Sequence, residues 1–434
     1  MLDWVATDRS LTARTGQTFK LTPRNAATTA GGYDSNGAVL GNVNHEPRWG
    51  YRNGQFGLWC NRALTNLVVQ SDGITTGNGW TLAGTGASAA AYATHANIPF
   101  TRVTSISGTT ELYRTVTLTG NGVKTYAIAV RADDGVSGTV LVGLYDATAL
   151  AWRAKATVTV AADGTIAFSN YTGTLQGVEN LGDGVYRVLI QTTSCTAANT
   201  HRCYAANGSG GTATSIRVSR AQVDDNPICG PMVPTAGTTV TSTADSYSCL
   251  VADSNALAIP PFTSITLYTK AVHFATLVAA TNWELVSCDD NTSATWHTRI
   301  DGAAGYPTAQ YGYGGNYVSP SSAHVAAYGD VMEVCGQFYK KGVSPYAYAR
   351  CYSRQNGGAT SDSGEAGGSP AVWQMTGIKN MYLLSHTSLG QSGAGLLQAV
   401  RIALGADFLR GCAGARAGGQ NITKWCNEEF DSRL

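Results

Sequence analysis

Threonine and β-branched residues alternate along most of this chain, in runs of strand length and not at helical spacing. Residues 115–119 read Thr-Val-Thr-Leu-Thr, and 125–130 read Thr-Tyr-Ala-Ile-Ala-Val. The pattern continues at 139–145, 157–160, 185–192 and 215–219. Successive side chains on a strand point to opposite faces, so each run offers one face to a core and one to water. Between the runs stand Asn121-Gly122, Asp134-Gly135, Asp163-Gly164 and Asp183-Gly184. Such dipeptides reach the left-handed backbone that tight hairpins require. Short strands at regular spacing with turns between them predict an all-β fold of antiparallel β-sandwich (jelly-roll) type.

The pattern persists in the second half, where 263–269, 283–287, 295–300, 330–339, 346–352 and 396–404 read as strands. A Gly/Ser-rich stretch over 357–369 reads as a long surface loop, and 406–410 as a helical turn. At 434 residues the chain is long enough for two or three domains, each with its own core. The expected division is an N-terminal attachment arm over 1–50, a first sandwich over 51–235, a second over 246–411 and a tail over 412–434. The Thr/Gly/Pro-rich stretch 231–245 is the expected linker.

Composition excludes several functions. With 29 basic and 28 acidic residues, the chain lacks the positive excess that phosphate neutralisation of a nucleic acid demands. An apolar share of 43% is too high for disorder, and no apolar run is long enough to span a bilayer. The first ten residues carry an acid at Asp3 and no apolar segment, so no secretory signal is expected. The ten cysteines, at 60, 195, 203, 229, 249, 288, 335, 351, 412 and 426, form no CxxC pair, and no zinc-finger spacing occurs. Cys195 with Cys203, and Cys335 with Cys351, are placed to bridge hairpins, and buried thiols are the competing reading.

No catalytic or cofactor motif is present. The seven histidines are scattered, Gly390-Gln-Ser-Gly393 is no nucleophile elbow, and neither GxxxxGK[ST] nor a helix-opening GxGxxG occurs. No cofactor is expected. Paired acids at Asp133/Asp134, Asp224/Asp225, Asp289/Asp290 and Glu428/Glu429 point to opposite faces if on strands, so they do not by themselves supply a glycosidase pair. Asp133/Asp134 reads as a turn. Asp289-Asp-Asn291 offers clustered oxygens for calcium but lacks the spacing of an EF-hand loop. The candidate ligand site is Tyr306, Tyr311, Tyr313, Asn316 and Tyr317, where aromatic faces and an amide suit a sugar ring. The competing reading packs these tyrosines on a strand face. Tyr346, Tyr348 and Tyr352 fall on one strand face and read as core or interface.

A set of ordered motifs then stands out. Residues 24–28 read Arg-Asn-Ala-Ala-Thr, 47–49 Pro-Arg-Trp, and 57–67 Gly-Leu-Trp-Cys-Asn-Arg-Ala-Leu-Thr-Asn-Leu, with Gly79-Trp80 after them. Further on come Gly-Asp-Gly-Val-Tyr-Arg at 182–187, Ala-Gln-Val at 221–223 and Pro-Met-Val-Pro-Thr at 231–235. In this order they resemble a module of bacteriophage tail-fibre and head-spike virion proteins, over roughly residues 20–245. Asn61 and Leu64 stand where that family has Glu and Arg, so the polar pairing expected there is missing, and Val185 replaces an aromatic. The second half resembles, more distantly, a laminin-G or concanavalin-type jelly roll.

The resemblance implies a structural β-sandwich with a carbohydrate-binding-module look and no catalysis. It implies a virion protein, a head or tail fibre or spike subunit, built as a homotrimer. Its partners would be other virion proteins through the N-terminal arm, further copies of itself, and host-surface polysaccharide. A polysaccharide depolymerase is the alternative, needing acids such as Asp289 or Asp301 near the tyrosine loop. A purely architectural decoration or connector protein is the third reading.

Overall fold

The structure is a computed structural model. It describes residues 2–8, 10–11, 13, 19–21, 49–52, 55–60, 64–209, 214–225, 230, 232–242, 247–249, 261–273, 282–290, 293–301, 304–327, 329–341, 343, 345–374, 377–383, 385–386, 391–392 and 395–404. Outside these lie the expected tail over 412–434, the helical turn at 406–410 and most of the expected arm. Asn291, Glu428/Glu429, the motif at 24–28 and part of 390–393 lie outside as well. The fold is all-β: the described residues form antiparallel strands with two short 3-10 turns and no α-helix.

The chain divides into two compact units. A central unit takes Pro23–Gln55 and Asn61–Ala244, and a terminal unit takes Met1–Thr22, Phe56–Cys60 and Asp245–Leu434.

In the central unit, one sheet runs in the order Thr174–Gly182, Val185–Gln191, Thr125–Ala132, Thr214–Asp224, Leu64–Asn66, Val240–Ser242. The hairpin of Ser88–His95 and Ile98–Ile106 pairs with Thr214–Asp224. The other sheet runs Ile166–Thr172, Ala151–Val160, Gly138–Asp146, His201–Asn207, Glu111–Val116, Thr81–Ala83. Alternation explains the core between them: Val140, Val142 and Leu144 join Ile128, Val130, Val188, Ile190 and Val218 in one buried cluster. Each such side chain withdrawn from water contributes about 1.5–3 kcal/mol before chain entropy is charged against it. The hairpin at Asp183-Gly184 has φ of 50° and 67°, the double left-handed turn its sequence predicts. Asp133 is more than a turn residue: it is buried and accepts hydrogen bonds from Arg102, Ser215 and Arg217.

The expected linker is part of this unit. Asn66 is fully buried; its Nδ2 donates to Val233 O at 2.8 Å and Ala221 O at 3.3 Å. Its Oδ1 accepts from Val68 N at 3.1 Å and Val223 N at 3.3 Å. Val233 N donates to Gln222 Oε1, and Ser71 and Thr235 exchange backbone-to-hydroxyl bonds. Residues 232–235 are held because their polar groups complete those of two strands.

In the terminal unit, one sheet includes, in order, Thr360–Val372, Tyr346–Gln355, Val331–Lys340, Ser264–His273, Gly395–Leu404 and Gln55–Cys60. The second runs Lys20–Leu21, Tyr247–Cys249, Asn380–Leu383, Trp283–Asp289, Ala294–Ile300, Pro307–Tyr313, Asn316–Val318. Phe262, Trp296, Tyr311 and Trp373 pack as rings with centroids 5.1–6.5 Å apart.

Three expectations are corrected here. Where an attachment arm is expected, Leu2–Val5 pairs with Gly395–Leu404, because alternate residues Leu2 and Trp4 are apolar and bury themselves. Most of the expected loop over 357–369 lies in the edge strand Thr360–Val372, whose side chains anchor it to its neighbours. Arg350 grips Asp362 through Nε and Nη2, and Ser363 Oγ accepts from Cys351 N at 2.9 Å. The proposed disulfides do not form. Cys195 and Cys203 are buried free thiols. Cys351 lies opposite Gly336 and Cys335 opposite Tyr352, so those two sulfurs point to opposite faces of their sheet.

Asn66→Ala would leave four buried backbone groups without their side-chain partner. It should lower unfolding free energy by about 3 kcal/mol, read from the urea midpoint of the full chain.

Candidate functional site

The structure scatters the expected tyrosine site. Pro307–Tyr313 and Asn316–Val318 form a hairpin whose turn is Gly314-Gly315. Tyr311 faces inward and is fully buried, stacked on Trp373 at 5.1 Å and 27°. Its hydroxyl donates to Val372 O and accepts from Gln374 N, both at 3.0 Å, and burial pushes its phenol up to about 12. It is a core residue and offers no face to a ligand. Tyr317 is 59% exposed, with its ring over Gly312, where a Cβ would lie 2.7 Å from it. Tyr313 is half-buried opposite the exposed Asn316, and Tyr306 is 39% exposed before the strand. Asp301 Oδ1 accepts from Ala304 N, Asp289 Oδ1 from Asn380 Nδ2, and Asp290 Oδ1 from Ser293 and Ala294 N. These acids are thus engaged in loop and strand contacts. Tyr346, Tyr348 and Tyr352 do share a strand face; Tyr348 stacks on Tyr339 at 6.1 Å and 16°.

The more concentrated constellation lies in the central unit, on the outward face of the sheet through Gly138–Asp146. Tyr145 stands opposite Trp152, with ring centroids 5.2 Å apart. Tyr204 lies 5.3 Å from Trp152, 6.1 Å from Tyr145 and 5.3 Å from Tyr113, so four rings from four strands form one continuous floor. Tyr113, Tyr145 and Trp152 are half-buried, and Tyr204 is buried beneath them. None of the four belongs to the core cluster on the inner face. Arg202 lies over the Tyr113 ring at 4.4 Å, donates to Tyr204 Oη at 3.4 Å, and stands 3.8 Å from Glu111. The hydrogen bond to Tyr204 raises the Arg202 pKa, keeping it cationic.

Two local features build this floor. The pairing of Gly138–Asp146 with Ala151–Val160 shifts register between Leu144 and Tyr145, leaving Arg153 without a cross-strand partner. That extra residue turns Trp152 to the outward face, while Ala154 and Ala156 stay inside. Asp146 then pins the hairpin. Its Oδ1 accepts from Thr148 N and Ala149 N, and its Oδ2 from Arg153 and Asn199. Burial pushes the Asp146 pKa up, but the hydrogen bonds from Asn199, Ala149 and Arg153, with His201 nearby, outweigh it and hold the carboxyl at about 2. At the hairpin tip Leu150 is 76% exposed.

Half-buried aromatic rings in a row present flat apolar surfaces, and Arg202 and Glu111 beside them supply a donor and an acceptor. The arrangement suits a ring-shaped ligand with one apolar face and polar edges. Sequence reading missed it because Tyr113, Tyr145, Trp152 and Tyr204 stand far apart in the chain; cross-strand register alone assembles them. Among the described residues, no group of three or more His, Cys, Asp or Glu is placed to hold a metal ion.

No family model matches the chain, and no curated protein matches it. Among solved structures it is similar to domains LG4-5 of the mouse laminin alpha1 chain, at 12% identity. The alignment covers 69% of this chain and 87% of that one, with a TM-score of 0.22.

The depressed Asp146 carboxyl stabilises the fold above about pH 4, and that contribution is lost as pH falls through about 2. The expected size is about 2 kcal/mol. Urea unfolding should therefore show wild type and Asp146→Asn well separated at pH 6 and converging toward pH 2.

Proposed function

We propose that this chain is a structural subunit of a bacteriophage particle, a head or tail fibre or spike, that adheres to host-surface glycan through the aromatic face of its central unit. The observation that carries this reading is the floor of Tyr113, Tyr145, Trp152 and Tyr204 with Arg202 and Glu111 at its edge. The ordered motifs that resemble virion modules support it. The end of the 57–67 motif, at Asn66, meets those at 221–223 and 231–235 within the central unit.

In this reading adhesion needs no covalent chemistry. A sugar ring lays its apolar face on Trp152 and Tyr145, while hydroxyls reach Arg202 and Glu111. Each contact is weak in water, and a homotrimer on a particle with many copies multiplies them into firm attachment. Other virion proteins would be the second set of partners.

Two experiments test the proposal. Antibody-gold labelling of purified phage from the source should place the protein on the particle, and bare particles with the protein plainly expressed would sink the virion role. Trp152→Ala should weaken binding of the purified chain to host cells about tenfold, equivalent to about 1.4 kcal/mol of ring contact, with the β-sheet circular dichroism spectrum retained. Release of reducing ends from host polysaccharide would instead assign cleavage.

A further inference from the structure

The aromatic floor is not electrically symmetric. Lys155 stands opposite Gly143, and Gly143 in turn stands opposite Tyr204, so the three form one row across the sheet. Lys155 shares the outward face, since its neighbours Ala154 and Ala156 are buried inside. Gly143 carries no side chain, and nothing from that position rises between the Lys155 stem and the Tyr204 ring. A Cβ there would lie 2.1 Å from Ala154 O, so the gap is fixed by close strand approach.

The other charges near this row are accounted for. Arg153 is turned onto Asp146, and Arg114 donates to Asn78 O. Arg202 lies 3.8 Å from Glu111, on the far side of Tyr204 from Lys155. Asp146, the other acid on these strands, is fully buried and saturated by its hairpin. No carboxylate pairs with Lys155 among the described residues. The side of the floor nearest Trp152 therefore carries an uncompensated ammonium beside half-exposed rings.

We propose that this face selects acidic glycans, with a uronate-type carboxylate seated on Lys155 while its ring stacks on Trp152 and Tyr145. The inference rests on the reading of the aromatic face as a glycan site and adds to it the charge of the ligand. An ammonium on a flexible stem is a point charge with three donors, suited to a carboxylate that varies in position between sugars.

The test compares polygalacturonate with its fully methyl-esterified form, the same backbone without charge, as immobilised polymers binding the full chain. Wild type should bind the acid about threefold more tightly than the ester at low salt, the range of an exposed ion pair, and the gap should close at high salt. Lys155→Gln should bind both polymers alike, at the level of the ester. Trp152→Ala should weaken binding to both about tenfold. Equal binding of acid and ester by wild type, or a preference that survives Lys155→Gln, overturns the charge selectivity and leaves the aromatic site standing. Full binding by Trp152→Ala, or no binding of either polymer by wild type, overturns the aromatic site itself.

Discussion

The central unit is organised around one buried side chain. Asn66 sits among strands where a backbone group left without a partner would cost more than most apolar contacts return. Its amide has two donors and an acceptor with two lone pairs, and all are used on segments 64–68, 221–223 and 233. At this junction the segment around Val233 meets Leu64–Asn66 and Thr214–Asp224, and Val240 pairs with Asn66 itself. An apolar residue of similar size could fill the volume but could not dictate which segments meet.

From that junction the sandwich extends to the aromatic floor on its opposite sheet. The floor depends on a single extra residue, Arg153, that breaks the register of a hairpin. Without the bulge, Trp152 would fall on the inner face with Ala154 and Ala156. Asp146 makes the bulge affordable by satisfying the amides of the hairpin and the guanidinium of the bulged residue together. The outward-facing rings and the structural carboxylate are thus two ends of one local device, and the charge of Lys155 is placed by the same pairing.

Much of the fold was legible in the chain. The alternating runs at 125–130, 139–145, 185–192, 263–269 and 330–339 coincide with strands to within one residue at an end, because alternation directly encodes two faces. The segment 360–372 was not legible, since Gly, Ser and Asp carry little strand preference and it is held by partners distant in the chain, among them Tyr339, Lys341, Arg350 and Cys351. The strand Leu2–Val5 was missed because four residues are too short a pattern to read. The tyrosines of 306–317 drew attention by proximity in sequence, yet alternation sends Tyr311 inward and leaves Tyr317 outside.

The sequence by itself determined the class of fold: periodicity of two and Asx-Gly turns are local, and local signals survive in a linear string. It also determined what the chain lacks in motif and charge. Only the tertiary structure decided which aromatics share a face, which cysteines point apart, and that Leu2–Val5 joins Gly395–Leu404. Those outcomes depend on register between residues as far apart as Trp4 and Val400, and a one-residue shift in that register sends a side chain to the other side of the sheet.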